Sequence, residues 1–168
     1  MLESKEGKRA HKTGANAVSW APPALGLRLV TGGCDNRIKI WACQEDGMTW
    51  KEEAELGVYN SRSVHTDWVR DVAWAPSPLP GNLIASCGED AKCYVYSQDA
   101  ETGEWTAKAL GEGFSSPVWR VSWSVSGNVL AVASGDHKVS LWKESLEQGG
   151  AVWRSISNVA EDGSLAQA

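Results

Sequence analysis

The chain has 168 residues, 42% of them hydrophobic, and a formal net charge of −5, enough for one domain with a real core. Its acidic balance and the lack of a Lys/Arg cluster argue against direct nucleic-acid binding. No run approaches the roughly eighteen apolar residues of a membrane-spanning helix, and the charged start MLESKEGKRAHK lacks the apolar centre of a signal peptide.

From the N-terminus, residues 1–10 read as a disordered arm or the remnant of a preceding unit. Then a layout begins that recurs. His11 precedes Trp20 by nine residues in HKTGANAVSWAP, and His65 precedes Trp74 by nine in HTDWVRDVAWAP. A third run, VWRVSWS, ends near Trp123 and has Phe114 where the His stood. Other landmarks drift together with these. Asp35, Asp90 and Asp136 sit in turns, and Trp41, Tyr96 and Trp142 each follow six residues later. Trp50, Trp105 and Trp153 open the last run of each unit. Self-similarity at such a period is the mark of a repeat architecture. Ten Trp against one Phe and three Tyr fit the same reading, since recurring aromatic positions are a propeller cue.

Each unit resolves into four short strands. They are expected near Ala15–Ala21, Arg28–Thr31, Ile38–Ala42 and Thr49–Glu55. The second set falls near Val69–Ala75, Leu83–Cys87, Cys93–Ser97 and Glu104–Leu110. The third falls near Val118–Ser124, Val129–Ser134, Val139–Lys143 and Val152–Ser157. Val18/Trp20, Val72/Trp74 and Val121/Trp123 keep the period of two that puts side chains on one face of a strand. Turn formers stand between, such as Asp35-Asn36, Asp46-Gly47 and Ser126-Gly127. WKEEAEL, 50–56, is made of good helix formers, but its place in the repeat assigns it to an outer strand with charges facing water. GVYNSRSV reads as an exposed loop, and residues 158–168 as a disordered tail. The fold expected is all-β: a partial propeller of three four-stranded blades, about 11–56, 65–110 and 114–157.

His11, Thr31, Asp35 and Trp41 recur as His65, Ser86, Asp90 and Tyr96. A carboxylate buried at a tight turn is costly unless paired and hydrogen-bonded. A His can donate to it, a hydroxyl extends the chain, and an indole N–H or phenol O–H closes it. In the third unit the set decays to Phe114, Val132, Asp136 and Trp142. The rival reading of His65, Ser86 and Asp90 is a hydrolytic triad. No glycine elbow surrounds Ser86, and a catalytic group needs no copy per repeat, so the sets read as structural. Cys34, Cys43, Cys87 and Cys93 form no CxxC pair and match no zinc spacing. They read as reduced thiols of an intracellular protein. No catalytic residue, metal or cofactor is expected.

These residues resemble those of the WD-repeat family of β-propellers, although the WD dipeptide itself is replaced by Trp41-Ala42, Tyr96-Ser97 and Trp142-Lys143. HTDWVRDVAWAPSPLP, GGCDNRIKIW and VWRVSWSVSGNVLAVASGDHKVSLWKES look like the second half of one group within it, the small propeller subunits of the COPII outer coat. The resemblance covers nearly all of residues 11–157. It implies half of a six-bladed open propeller. It implies a larger coat protein as partner, which donates a further blade beside residues 118–157, and nuclear pore outer-ring subunits as a second set of partners. It places the chain in the cytoplasm, at the endoplasmic reticulum membrane through the coat alone, and at the nuclear pore. The function implied is a scaffold, with no enzyme activity. A generic WD-repeat adaptor that reads a peptide, in ubiquitination or signalling, is the alternative, and an Arg- or aromatic-lined groove would favour it. In the second unit Ala91 replaces the usual turn Gly and Tyr96 the usual Trp. Three blades leave two apolar faces open. More chain, a partner or a second copy is therefore expected to close them.

Overall fold

A computed structural model describes residues 9–76, 82–147, 150–159 and 165–166. The expectations for residues 1–8 and for most of the tail lie outside these residues. Three antiparallel sheets follow one another along the chain. Blade 1 is β1 (Ala15–Trp20), β2 (Arg28–Gly33), β3 (Ile38–Cys43) and β4 (Trp50–Leu56). A two-strand ribbon, β5 (Val58–Tyr59) and β6 (Arg62–Ser63), links it to blade 2. Blade 2 is β7 (Val69–Trp74), β8 (Asn82–Gly88), β9 (Cys93–Gln98) and β10 (Trp105–Ala109). Blade 3 is β11 (Val118–Trp123), β12 (Val129–Ser134), β13 (Val139–Glu147) and β14 (Gly150–Val159), with β15 (Leu165–Ala166) paired on β14. The protein is an all-β partial propeller whose sheets do not close into a ring. The third sheet gains its fifth strand because β14 runs beyond Ser157 and Asn158 and Val159 pair with Ala166 and Leu165.

The ribbon lies where a plain loop is expected. Asn60 and Ser61 both take positive φ, 50° and 64°, which is the backbone a two-residue hairpin turn requires. The helix formers of WKEEAEL form β4 because pairing with β3 overrides local propensity. Its acidic side chains meet cations across the sheet: Glu53 with Arg28 at 2.7 Å, Glu55 with Arg37 at 2.6 Å and Glu52 with Lys39 at 2.8 Å.

The core lies between blades, not within them. Val30, Ile38, Ile40 and Leu56 of blade 1 pack on Val69, Val72, Trp74 and Ile84 of blade 2. The other face of blade 2, with Leu83, Ala85, Cys87 and Val95, packs on Val121, Leu130, Val132 and Trp153 of blade 3. Full burial of one such aliphatic side chain is worth about 1.5–3 kcal/mol, so each seam is a large share of the stability. The innermost strands β1, β7 and β11 lie side by side and carry the same bulge. Asn16, Arg70 and Trp119 are the extra residues. A bulge re-aims its residue, and here it reaches the next blade. Asn16 Nδ2 donates to the Val69 carbonyl at 2.8 Å, and Arg70 stacks on Trp119.

The turn after each second strand also repeats. Asn36, Ala91 and His137 follow the turn aspartates and take φ of 64°, 56° and 64°. An L-residue pays about 1–2 kcal/mol for that conformation, less for Asn, and Gly does not. Ala91→Gly is therefore expected to stabilise the chain by about 1 kcal/mol, read as a higher urea midpoint at unchanged slope. No gain would mean the turn is not held in that backbone state.

Candidate functional site

In blade 1 the loop before β1 carries His11 across the turn that joins β2 to β3. His11 Nδ1 lies 2.7 Å from Asp35 Oδ1, and Nε2 lies 2.8 Å from Thr31 Oγ1. Trp41 Nε1 donates to the same Thr31 oxygen at 3.0 Å. The donors leave one consistent order: indole N–H to hydroxyl, hydroxyl to Nε2, and Nδ1–H to carboxylate. Blade 2 repeats it. His65 Nδ1 lies 3.0 and 3.1 Å from the two Asp90 oxygens, Nε2 lies 2.7 Å from Ser86 Oγ, and Tyr96 Oη lies 3.2 Å from Ser86 Oγ. Backbone N–H groups of Lys12 and Thr66 complete the carboxylates, at 2.9 and 3.0 Å.

Burial of Asp35 and Asp90 works to raise their pKa. In Asp35 the Lys12 N–H and His11 outweigh it, and in Asp90 His65 and the Thr66 N–H do. Both carboxyls are held below the ordinary value. Burial pushes the Tyr96 hydroxyl far above its usual range, so it stays a phenol O–H able to donate.

The histidines need room that two glycines provide. A Cβ on Gly33 would stand 2.3 Å from His11 Nδ1, and one on Gly88 would stand 2.9 Å from His65 Nδ1. In blade 3 the same position is Ser134. There Phe114 replaces the histidine and packs edge-on against Trp142, with ring centroids 6.0 Å apart. Asp136 turns to Ser134 and Ser115 instead, and Trp142 Nε1 donates to Ser140 at 2.8 Å. Ser115, Ser134 and Ser140 are absent from the sequence reading. Gly33 and Gly88, each two residues before an Asp, are the signal that separates the blades that keep a His from the one that does not.

A third buried carboxylate belongs to no repeated set in the sequence. Asp71, on β7, accepts the Val72 N–H at 3.0 Å and, across the seam, the Val121 N–H at 3.1 Å. Burial raises its pKa despite those bonds and the nearby Arg120 guanidinium, 3.8 Å away. It ties blade 2 to blade 3. At the mouth formed by the bulged strands, Arg70 sits between two indoles, 5.6 Å from the Trp68 ring centroid and 5.0 Å from that of Trp119, and pairs with Glu89 at 2.6 Å. Both indoles are nearly half exposed, at 47% and 46%.

Ser86 and His65 are sealed between sheets, at 0% and 1% exposure, with every hydrogen-bonding group of the set engaged. No substrate can reach the serine oxygen in this packing. Cys87 and Cys93 are buried free thiols, and burial raises the pKa of both, which disfavours thiolate chemistry. Among the described residues no cluster of His, Cys, Asp and Glu is arranged to hold a metal.

Sheet order, repeated turn and repeated His–hydroxyl–Asp set are those of WD-repeat blades, and the chain belongs to that family. Residues 5–42, 58–97 and 107–143 match the WD domain, G-beta repeat. The chain is similar to the Protein SEC13 homolog of Homo sapiens, 45% identical over 94% of this chain and 51% of that protein. It is 44% identical to the Protein SEC13 homolog of Drosophila melanogaster, over 88% of this chain and 43% of that protein. It is 42% identical to the Protein transport protein SEC13 of Yarrowia lipolytica, over 96% of this chain and 58% of that protein. The chain thus spans about half the length of these relatives.

Two outcomes follow. Ser86→Ala removes the hydroxyl between His65 and Tyr96 and should cost about 1–3 kcal/mol of unfolding free energy, the cost of leaving buried groups unpaired. A cost near zero would remove the set from the stability account. Asp35 and Asp90 have folded pKa values below their unfolded ones. Their stabilisation is present above the ordinary carboxylate value, about 3.9, and is lost as pH falls through the folded values. Asp71, with a raised folded pKa, runs the opposite way. Urea titrations from pH 6 downward should show stability falling below about pH 4, and Asp90→Asn should flatten that fall. An unchanged slope in the variant would contradict the assignment.

Proposed function

We propose that this chain is a non-catalytic scaffold subunit in protein transport, part of the COPII outer cage that works between the endoplasmic reticulum and the Golgi. The observation that carries the reading is the identity to SEC13 proteins over nearly the whole chain, one of them named a protein transport protein. The sealed Ser86 and His65 support a role without chemistry. Service in the nuclear pore outer ring belongs to the same proposal. The partner is a larger coat protein that adds a blade against the outward sheet of blade 3. There Val139 and Ile156 are exposed, as an apolar seat for further strands requires.

The test is co-purification of the tagged chain with the larger coat protein from cells that make both. Recovery of that protein with wild type, and its loss with Val139→Lys, is expected. Recovery with neither, from chain that is folded by circular dichroism, would reject the coat assignment.

The Trp68–Arg70–Trp119 stack favours the adaptor reading as a second function. Tryptophan and arginine dominate binding hot spots, and both indoles are open to solvent. Trp119→Ala should leave coat recovery unchanged if the scaffold role stands alone. Loss of a distinct set of bound proteins, with coat recovery intact, would establish the adaptor role.

A further inference from the structure

Cys87 and Cys93 stand directly opposite each other on β8 and β9 of blade 2. At the turn that joins these strands the Gly88 N–H donates to the Lys92 carbonyl at 3.1 Å, so Gly88 and Lys92 face each other through hydrogen bonds. Along an antiparallel ladder such pairs alternate with pairs that share no hydrogen bond. The next pair inward, Cys87 with Cys93, is therefore of the second kind. The Cys93 carbonyl agrees, since it points away from β8 and accepts the Leu110 N–H at 2.9 Å. In a pair of this kind the two Cα atoms lie about 4.5 Å apart, with both side chains on one face of the sheet. A disulfide spans Cα separations of roughly 4.4–6.8 Å, so the backbone already holds these two thiols at bonding register.

Both side chains belong to the core of the seam between blades 2 and 3, in one cluster with Val118, Val121 and Val132. They are 0% and 1% exposed, and both are free thiols. Packing needs no sulfur at these positions. Blade 1 has Gly32 opposite Ile38, and blade 3 has Ala133 opposite Val139. The other two cysteines are not placed to pair. Cys34 follows the end of β2 and Cys43 ends β3, so they lie at opposite ends of one hairpin.

We propose that Cys87 and Cys93 are a reversible redox site, forming an intrachain disulfide that staples β8 to β9 when a small-molecule disulfide such as glutathione disulfide is present. One cysteine, as thiolate, attacks a sulfur of the small disulfide. A mixed disulfide forms and one small thiolate leaves. The facing cysteine, deprotonated in turn, attacks the protein sulfur of that mixed disulfide and expels the second small thiolate. The two released thiolates take up the two protons. Two protein thiols and one small disulfide thus become one protein disulfide and two small thiols, with two electrons passed from the cysteines to the oxidant.

The seam makes the step conditional. While blade 3 covers blade 2, burial keeps both groups protonated and keeps the oxidant out. Local opening of the seam, a sub-global event of lower cost than unfolding, exposes them together. The pair is silent in the closed seam and is oxidised as the seam opens.

The test uses the folded 168-residue chain in glutathione disulfide, followed by alkylation, trypsin without reduction, and mass spectrometry. Trypsin cuts after Arg70, Lys92 and Lys108, so Cys87 falls in peptide 71–92 and Cys93 in peptide 93–108. Only a disulfide can hold the two together. The linked pair is expected, with no link between Cys34 and Cys43, and dithiothreitol should undo it. In urea both links should form, because each joins cysteines close in sequence. Val121→Ala loosens the seam and should speed the 87–93 linkage several-fold, with circular dichroism checking that the variant is folded. If it is not, the wild-type linkage still decides. Cys87 and Cys93 recovered as free thiols from the folded chain, in a buffer that links them in urea, overturns the proposal. So does a Cys34–Cys43 link formed in the folded chain to the same extent, because the chain would then be oxidising while unfolded. A folded Val121→Ala chain that links no faster contradicts entry through the seam.

Discussion

The fold depends on one polar clasp inside an otherwise apolar stack. A carboxylate at the turn between the second and third strands is buried, and a histidine from the incoming loop lies over it, 2.7 Å away in blade 1 and 3.0 Å in blade 2. The loop enters from the preceding segment, while the turn belongs to the blade itself. The clasp therefore fixes how one blade hands over to the next. Leaving any member unpaired in this setting is expensive, which explains why a hydroxyl, an aromatic donor and a backbone N–H complete each set.

The second constraint is that a blade has two faces and few residues. Blade 2 buries both and contributes Ile84, Ala85 and Cys87 with no exposure at all. Neighbouring blades are joined by polar pegs as well as apolar packing. Asp71 reaches the Val121 N–H, Asn16 the Val69 carbonyl, and Ser19 the Trp74 N–H. These pegs set rotation and register between sheets, which apolar contact alone leaves loose. A rigid stack of this kind suits a scaffold, where geometry is the product.

Much of this was legible in the residues because a repeat checks itself. Three aligned copies place the strands to within a residue or two, except that β13 runs on to Glu147, four residues past the expected Lys143, and the place of WKEEAEL in the unit assigns it to a strand against its own propensity. What escaped was what occurs once. Asp71 stands where blade 1 has Ala17 and blade 3 has Arg120, so comparison of repeats offered no pattern, and its partner is a backbone N–H that no side-chain motif announces. The ribbon at Val58–Ser63 depends on Asn60 and Ser61 adopting left-handed backbone, and Ser is not a strong marker for it. In blade 3 the serines that take over the work of His and Thr sit at new positions, Ser115, Ser134 and Ser140. The glycines that make room for His11 and His65 were present in the sequence, but their meaning needed the ring positions.

The His–hydroxyl–Asp sets act as structural clasps. A double-mutant cycle on unfolding free energy, with His65→Ala, Asp90→Ala and both together, tests it most directly. The account predicts a coupling of about 0.5–3 kcal/mol, the range for residues in one buried network. Additive costs, within about 0.3–0.5 kcal/mol, would contradict it and leave the two residues without a shared structural role.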